Sequence, residues 1–368
     1  MSKETENKQN TEHTSPLVKR RSITFVNNAT APKLTITELN ISNCYSADEI
    51  LIKVHSAAFN PVDILLASFA NSWLSARTDK TFGRDFSGEV IKVGSNVQGY
   101  DVGDHVCGLF EHLYGTEGTM SDYLILNPTK TKALGKFELS KGSVYTPEVY
   151  DKYCSWPLVF GTAFQGLLNY TLTKSIWKED QSRKILVVGA STSVGTCVVQ
   201  IAKKYLDISV VDGICSAASF ERNKQLGYDT LFDYHSDDLV DQIVANSNKY
   251  DVIYDCCGNS YFSQCMDKVL KPKDTGSYYV TIVGDQKMNY KNPKINFVSN
   301  LRKLVYCTYN YHVLKLEGSK DFIDVGLDML SKGELNLPID SLCEPEEFEK
   351  AIDRLESNNA KGKIVVRF

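Results

Sequence analysis

The chain has 368 residues, a length that suits two domains. Hydrophobic residues make up 42% of it, which supplies a sizeable core. The 41 basic and 45 acidic side chains leave a formal charge of -4, which argues against a dedicated nucleic-acid binder, because such proteins carry a basic domain.

The first sixteen residues are polar and cannot bury enough apolar surface to order themselves. They contain Glu4, Glu6 and Glu12, unlike an acid-poor transit peptide, and no secretory signal or long apolar run opens the chain. Residues 1–21 are therefore expected to form a disordered tail. Its boundary cluster Lys19-Arg20-Arg21 either touches an anionic surface or is simply solvated.

From about Ser22 to about Tyr150 the pattern is mostly β. Ile50, Ile52 and Val54 alternate with other residues as in a half-buried strand. Gly83, Gly88, Gly94, Gly99 and Gly103 punctuate short strands with turns. The middle of the chain changes character. Lys184 to Val188 is a short apolar run, as in a strand buried on both faces. It enters the turn Gly189-Ala190-Ser191-Thr192-Ser193-Val194-Gly195. A helical stripe of Val194, Val198, Ile201, Ala202 and Tyr205 follows. Further strands are expected at 208–211, 251–255 and 277–283. Strands alternating with helices predict a parallel, doubly wound sheet. Near the end, Phe348, Ala351, Ile352 and Leu355 form a helical stripe, Pro345 suits a first helical turn, and Lys363 to Phe368 reads as a terminal strand.

A strand, a small-residue turn and a helix together make an anion site, because the helix N-terminus presents unpaired N–H groups and a positive dipole end. Of the Gly-x-Gly-x-x-Gly pattern only Gly195 remains, with Ala190 and Thr192 at the first two glycine positions. Alone, this motif is weak, and a tight turn of some other α/β protein remains the lesser alternative. The ten cysteines contain no Cys-x-x-Cys pair, and the six histidines show no ligand spacing. The thiols read as buried groups in a reducing compartment.

Other stretches give the turn its context. Asn60-Pro61-Val62-Asp63, Gly83-Arg84-Asp85-Phe86-Ser87-Gly88-Glu89-Val90, Val102-Gly103-Asp104-His105-Val106, Gly161-Thr162-Ala163, Asp255-Cys256-Cys257-Gly258-Asn259 and Ala360-Lys361-Gly362-Lys363 occur in the order seen in zinc-free quinone oxidoreductases. From Ser22 to Phe368 the chain resembles that branch of the medium-chain dehydrogenase/reductase superfamily. Gly189 to Val194 and Tyr123 to Pro128 resemble a fungal subgroup associated with mitochondria and lipid droplets.

The resemblance implies an α/β fold with a GroES-like, mostly-β catalytic domain over 22–153 and 311–368. A Rossmann domain over 154–310 would bind NADPH. The implied cofactor positions are Ala190, Ser191, Thr192, Ser193, Val194, Gly195, Ser216, Ser219, Tyr234, Cys257, Gly258, Val283 and Gly284. Cys215 stands where NAD-preferring relatives place an acid, Asp212 lies earlier in that strand, and Arg222 and Lys224 follow on the next helix. The zinc-ligand positions correspond to Asn60, Arg84 and Leu158, none of them a plausible ligand set.

Three catalytic candidates follow. Asn60 either donates to a developing enolate or only holds its loop. Thr162 either contacts the nicotinamide or caps a helix beginning near Gly161. Tyr114, with His112, sits in a loop that reaches toward the pocket. The implied function is zinc-independent, NADPH-dependent reduction of quinones or α,β-unsaturated carbonyls. The alternative is a non-catalytic cofactor-binding scaffold at a lipid-droplet or mitochondrial surface. The partner is then a small quinone or enone, or that surface, with no nucleic acid expected. The chain is read as a monomer or homodimer, intracellular and cytosolic or peripheral to those organelles. The aromatic and basic stretch Lys287 to Lys320 reads as a connection over the cleft or at a dimer edge, rather than as an RNA-binding or membrane-interface segment.

Overall fold

The computed structural model describes residues 17–70, 77–111, 115–169, 177, 180, 182–247, 249–258, 261–262, 264–284, 287, 289 and 309–368. In the first half, β1 (Leu17–Phe25) and β2 (Lys33–Asn40) form a hairpin. They are followed by β3 (Ile50–Phe59), α1 (Pro61–Phe69), β4 (Lys80–Thr81), β5 (Asp85–Val93), β6 (His105–Leu109), β7 (Tyr123–Leu126) and β8 (Leu134–Lys136). Two helices, α2 (Pro147–Cys154) and α3 (Pro157–Leu168), lead into the middle of the chain.

There the order is β9 (Lys184–Val188), α4 (Ser193–Gln200), β10 (Val210–Cys215), α5 (Phe220–Leu226), β11 (Leu231–Asp233), α6 (Leu239–Ser247), β12 (Val252–Asp255), α7 (Met266–Val269), β13 (Tyr278–Thr281) and β14 (Asn310–Val313). The chain ends with α8 (Lys320–Ser331), β15 (Ile339–Cys343), α9 (Phe348–Glu356) and β16 (Lys363–Arg367).

Beside a small three-stranded sheet, β2-β1-β4, two larger sheets carry the two-domain design. One sheet runs β11-β10-β9-β12-β13-β14 with every pairing parallel, so the strand order reverses between β9 and β12. This is the doubly wound order 3-2-1-4-5-6, in which ligands sit at the carboxyl ends of strands where the order reverses. The other sheet has seven strands, β15-β16-β3-β5-β6-β8 with β7 paired to β3, and is antiparallel except for β15 beside β16. Its C-terminal strands thus complete a layer begun before residue 140.

Several expectations shift. β1 begins at Leu17, so residues 17–21 are strand and not tail. Arg20 and Arg21 are not merely solvated: Arg20 pairs with Glu117 at 2.6 Å and Arg21 with Asp122 at 2.8 Å. Residues 1–16 lie outside the described residues. β3 is not half-buried. Ile50, Leu51, Ile52, Ala57 and Ala58 are all 0% exposed, because β3 is a central strand covered on both faces. The parallel sheet extends to Val313, slightly past the expected boundary at 310. Between the sheets, α3 packs on α8, where Gly161 faces the Phe322 ring and Gly326 faces Trp156. No helix among the described residues is long and apolar enough to cross a membrane.

Candidate cofactor cleft and buried polar network

The apolar run of β9 delivers the chain into the turn at the reversal of strand order. Gly189 there has φ +85°, a left-handed conformation that a side chain would disfavour. The tight bend therefore falls one residue before Ala190, the position read from the glycine pattern. Thr192 caps α4: its hydroxyl accepts the Gly195 N–H at 2.9 Å and donates to the Gly189 carbonyl at 2.8 Å. A Cβ on Gly195 would strike the Gly189 carbonyl oxygen and lie 3.0 Å from Ala190 Cα, so helix and strand ends touch through backbone alone. From behind, the buried Tyr228 hydroxyl donates to the Gly195 carbonyl at 2.8 Å.

This turn opens onto a cleft of about 320 Å³. Of the expected cofactor residues, Ser191, Thr192, Ser216, Tyr234, Cys257 and Gly258 line it. Gly195 and Ala190 shape it from beneath, and Ser219 reaches Ser216 hydroxyl to hydroxyl at 3.3 Å. Ser193, Val194, Val283 and Gly284 do not line it; the Gly284 N–H is held by the Thr281 hydroxyl at 3.0 Å. Sequence reasoning missed Tyr261, Lys287, Asn358 and Ala360, which also line the cleft. The last two belong to the loop before β16, and only the fold brings them here.

The charge at the adenosine end can be read from β10. Asp212 is 2% exposed and turned into the protein, where its carboxylate accepts from Thr230 N–H at 3.0 Å and the Tyr250 hydroxyl at 2.7 Å. At the strand end stand Cys215 and Ser216. Burial raises the thiols of Cys215 and Cys256, and pushes Cys257 up to about 12, so these walls are neutral. Beneath Cys257 and Gly258, the buried Asp255 accepts both of their N–H groups at 2.9 Å.

The cleft can thus hold a dinucleotide. Its helix N-terminus has no room for a Cβ at Gly195, no carboxylate among the described residues lines it, and two tyrosines edge it.

Asn60 stands elsewhere, in a buried network. Its amide donates to Asp85 Oδ2 at 2.9 Å, and its oxygen accepts from Lys363 Nζ at 2.6 Å. Lys363 also pairs with Asp85 at 3.0 Å, while the Leu158 N–H donates to Asp85 Oδ1 at 2.8 Å. Asp63 accepts the Asn60 N–H at 2.8 Å, and burial pushes its carboxyl up to about 7, partly offset by the Arg84 charge. Asn60 is 1% exposed and its amide is committed on both sides, which leaves no free donor for a substrate oxygen.

Thr162 is mid-helix and not a cap, because α3 starts at Pro157; its hydroxyl donates to Leu158 O at 2.7 Å. Tyr114 and His112 lie outside the described residues, as do Asn259 and most of 287–320.

At the zinc-ligand equivalents the groups are of the wrong kind. Leu158 offers only a backbone N–H, the Asn60 oxygen is occupied by an ammonium, and Arg84 is a cation. This donor set does not fit zinc, which needs thiolate, imidazole or carboxylate ligands.

Comparison with known proteins decides the family. The chain is 44% identical over 361 residues to Protein YIM1-1 of Lachancea thermotolerans, covering 95% of this chain and 98% of the relative. It belongs to the medium-chain dehydrogenase/reductase superfamily. Within that superfamily it groups with the fungal YIM1 proteins, being also 42% identical over 367 residues to Protein YIM1 of Saccharomyces cerevisiae, covering 95% and 98%. A profile described as alcohol dehydrogenase GroES-like domain matches residues 46–135, and one described as zinc-binding dehydrogenase matches 226–366.

Among solved structures, the quinone oxidoreductase from Coxiella burnetii superposes with TM-score 0.73 at 22% identity, covering 95% of this chain and 100% of that one. CurK enoyl reductase gives TM-score 0.71 at 19% identity, covering 95% and 99%. The chain therefore has the oxidoreductase fold of its superfamily, which binds a nicotinamide cofactor.

Proposed function

We propose that this member of the superfamily is a zinc-independent, NADPH-dependent reductase of quinones or α,β-unsaturated carbonyls. The observation that carries this reading is the pairing of a cleft that no carboxylate lines among the described residues with a buried lysine ammonium on the oxygen of Asn60, one of the zinc-ligand equivalents. When bound, the cofactor supplies the hydride. Hydride addition to a quinone or enone requires less electrophilic help than alcohol oxidation, because hydrogen-bond donors can meet the developing oxyanion. The names of the solved quinone oxidoreductase and enoyl reductase agree with this substrate class.

The chain's own groups do the holding. The α4 N-terminus and the Thr192-capped turn receive the pyrophosphate, while Ser216, with Ser219 beside it, offers hydroxyls to a 2′-phosphate. Asn60, Asp85 and Lys363 fix the floor on which α3 starts. Turnover of NADPH with a panel of quinones and enals, run in excess chelator, tests the reading. Activity should persist in chelator. Activity lost to chelation and restored by zinc would overturn it. Cofactor binding without any turnover would favour the scaffold alternative at a lipid-droplet or mitochondrial surface.

The same geometry sets cofactor preference. With Asp212 tied to Thr230 and Tyr250, no carboxylate from that strand repels a 2′-phosphate. Among the described residues no lysine or arginine lines the Ser216 end itself, so the preference should be modest, under tenfold or about 1.4 kcal/mol. Fluorescence titration should show NADPH binding more tightly than NADH; the reverse order would contradict the assignment.

A further inference from the structure

On α5, Arg222 does something the sequence does not suggest. It does not point to solvent. Its Nη2 donates to the Ser191 carbonyl at 3.0 Å, and its Nη1 donates to the Lys361 carbonyl at 3.0 Å. Ser191 belongs to the phosphate turn of the parallel-sheet domain. Lys361 belongs to the loop before β16, and so to the other sheet. One guanidinium therefore spans the cleft mouth and ties one rim to the other.

Two further facts make this bridge more than an ordinary contact. No carboxylate pairs with Arg222 among the described residues, and its Nε is buried without a partner. A half-buried cation held only by carbonyl oxygens is incompletely compensated, and an anion nearby would improve its position. The turn it grips is an anion site. The far rim is also stiff in itself: Asp340 accepts the Lys361 N–H at 2.7 Å, and Arg354 donates to the Asn359 carbonyl at 3.0 Å. That rim contributes Asn358 and Ala360 to the cleft wall. It is therefore tied to its own domain, and Arg222 bridges it to the turn.

We propose that Arg222 is a positioning residue that couples occupancy of the phosphate turn to closure of the C-terminal loop over the cofactor. The proposal rests on the reading of this cleft as a dinucleotide site, and adds how the site is closed. Because the strap grips backbone oxygens beside the pyrophosphate position, it acts on NADPH and NADH alike and does not select the 2′-phosphate.

The test uses the full chain as wild type, Arg222→Ala and Arg222→Lys. Kd is titrated for NADPH and for NADH, and hydrogen exchange of residues 357–362 is followed with and without NADPH. Arg222→Ala is expected to raise both Kd values by a similar factor of about tenfold. It should also speed exchange in 357–362 without cofactor and abolish the extra protection that NADPH gives wild type. Arg222→Lys, with one ammonium in place of the two-armed fork, should recover only part of either effect. Unchanged exchange in Arg222→Ala overturns the strap. So does a Kd rise confined to NADPH, which would make Arg222 a 2′-phosphate ligand. Failure of wild type to bind either cofactor would instead defeat the reading of the site, while the exchange comparison without cofactor still judges the strap.

Discussion

Replacing Gly195 with leucine is expected to weaken NADPH binding at least tenfold, about 1.4 kcal/mol, in a protein that still folds. The reason is local. A Cβ at this position meets only backbone: the Gly189 carbonyl oxygen, and Ala190 Cα and O, both at 3.0 Å. No side chain can swing away to relieve the contact, so the start of α4 must move off the end of β9. That displacement breaks the Thr192 cap on the Gly195 N–H and shifts the carbonyl on which the Tyr228 hydroxyl rests. The N–H groups that would face a pyrophosphate lose their common aim, and a misaligned N–H makes a weaker hydrogen bond. Fluorescence titration of NADPH with the variant measures it, with circular dichroism to show that the fold persists. An affinity equal to wild type would remove the phosphate role from this turn.

The β9 turn was legible because its physics is local. A strand buried on both faces reads as an unbroken apolar run, and a helix start needs a cap within three residues, here Thr192 to Gly195. Local pattern was less exact for β10, which begins at Val210 rather than Ile208 and runs on to Cys215, beyond the expected end at 211; the place of Cys215 came from the family resemblance. Other features depended on distance along the chain. Lys363 reaches Asp85 across 278 residues, and nothing near Gly362-Lys363-Ile364 announces a buried ammonium except a lysine inside an apolar strand. That single clue was present and unread. Asn60 was weighed as a substrate donor because its motif neighbours suggested a site, but the groups that occupy its amide come from β5 and β16. The partners of Arg222 are hidden for a similar reason: helix periodicity says which face a residue takes, not which loop of another domain waits there. β3 misled in a different way. Its apolar alternation is real, yet α2 packs on it as well, with Ala58 against Cys154 and the Ser56 hydroxyl on Asp151.

The largest expected effect on stability concerns that same buried lysine. Lys363→Met should destabilise the protein by about 3–5 kcal/mol, the usual cost of removing one partner of a buried ion pair. Asp85 is 0% exposed and Lys363 3%, so water cannot replace the lost ammonium without opening the floor beneath α3. Methionine nearly conserves volume, so the loss reports charge and hydrogen bonding rather than a cavity. The single variant leaves Asp85 with two donors, the Asn60 amide and the Leu158 N–H, and no compensating charge. Adding Asp85→Asn should then recover much of the loss. A neutral amide there keeps an oxygen for Leu158, and the Asn60 carboxamide can turn so that its freed oxygen accepts from the new amide. Urea unfolding of wild type, both single variants and the double variant gives the coupling directly, provided the m-value is unchanged. A coupling of several kcal/mol would show that the lysine and the aspartate act as one unit. A Lys363→Met loss below about 1 kcal/mol would place the pair in the range of exposed ion pairs and would mean that water reaches Asp85.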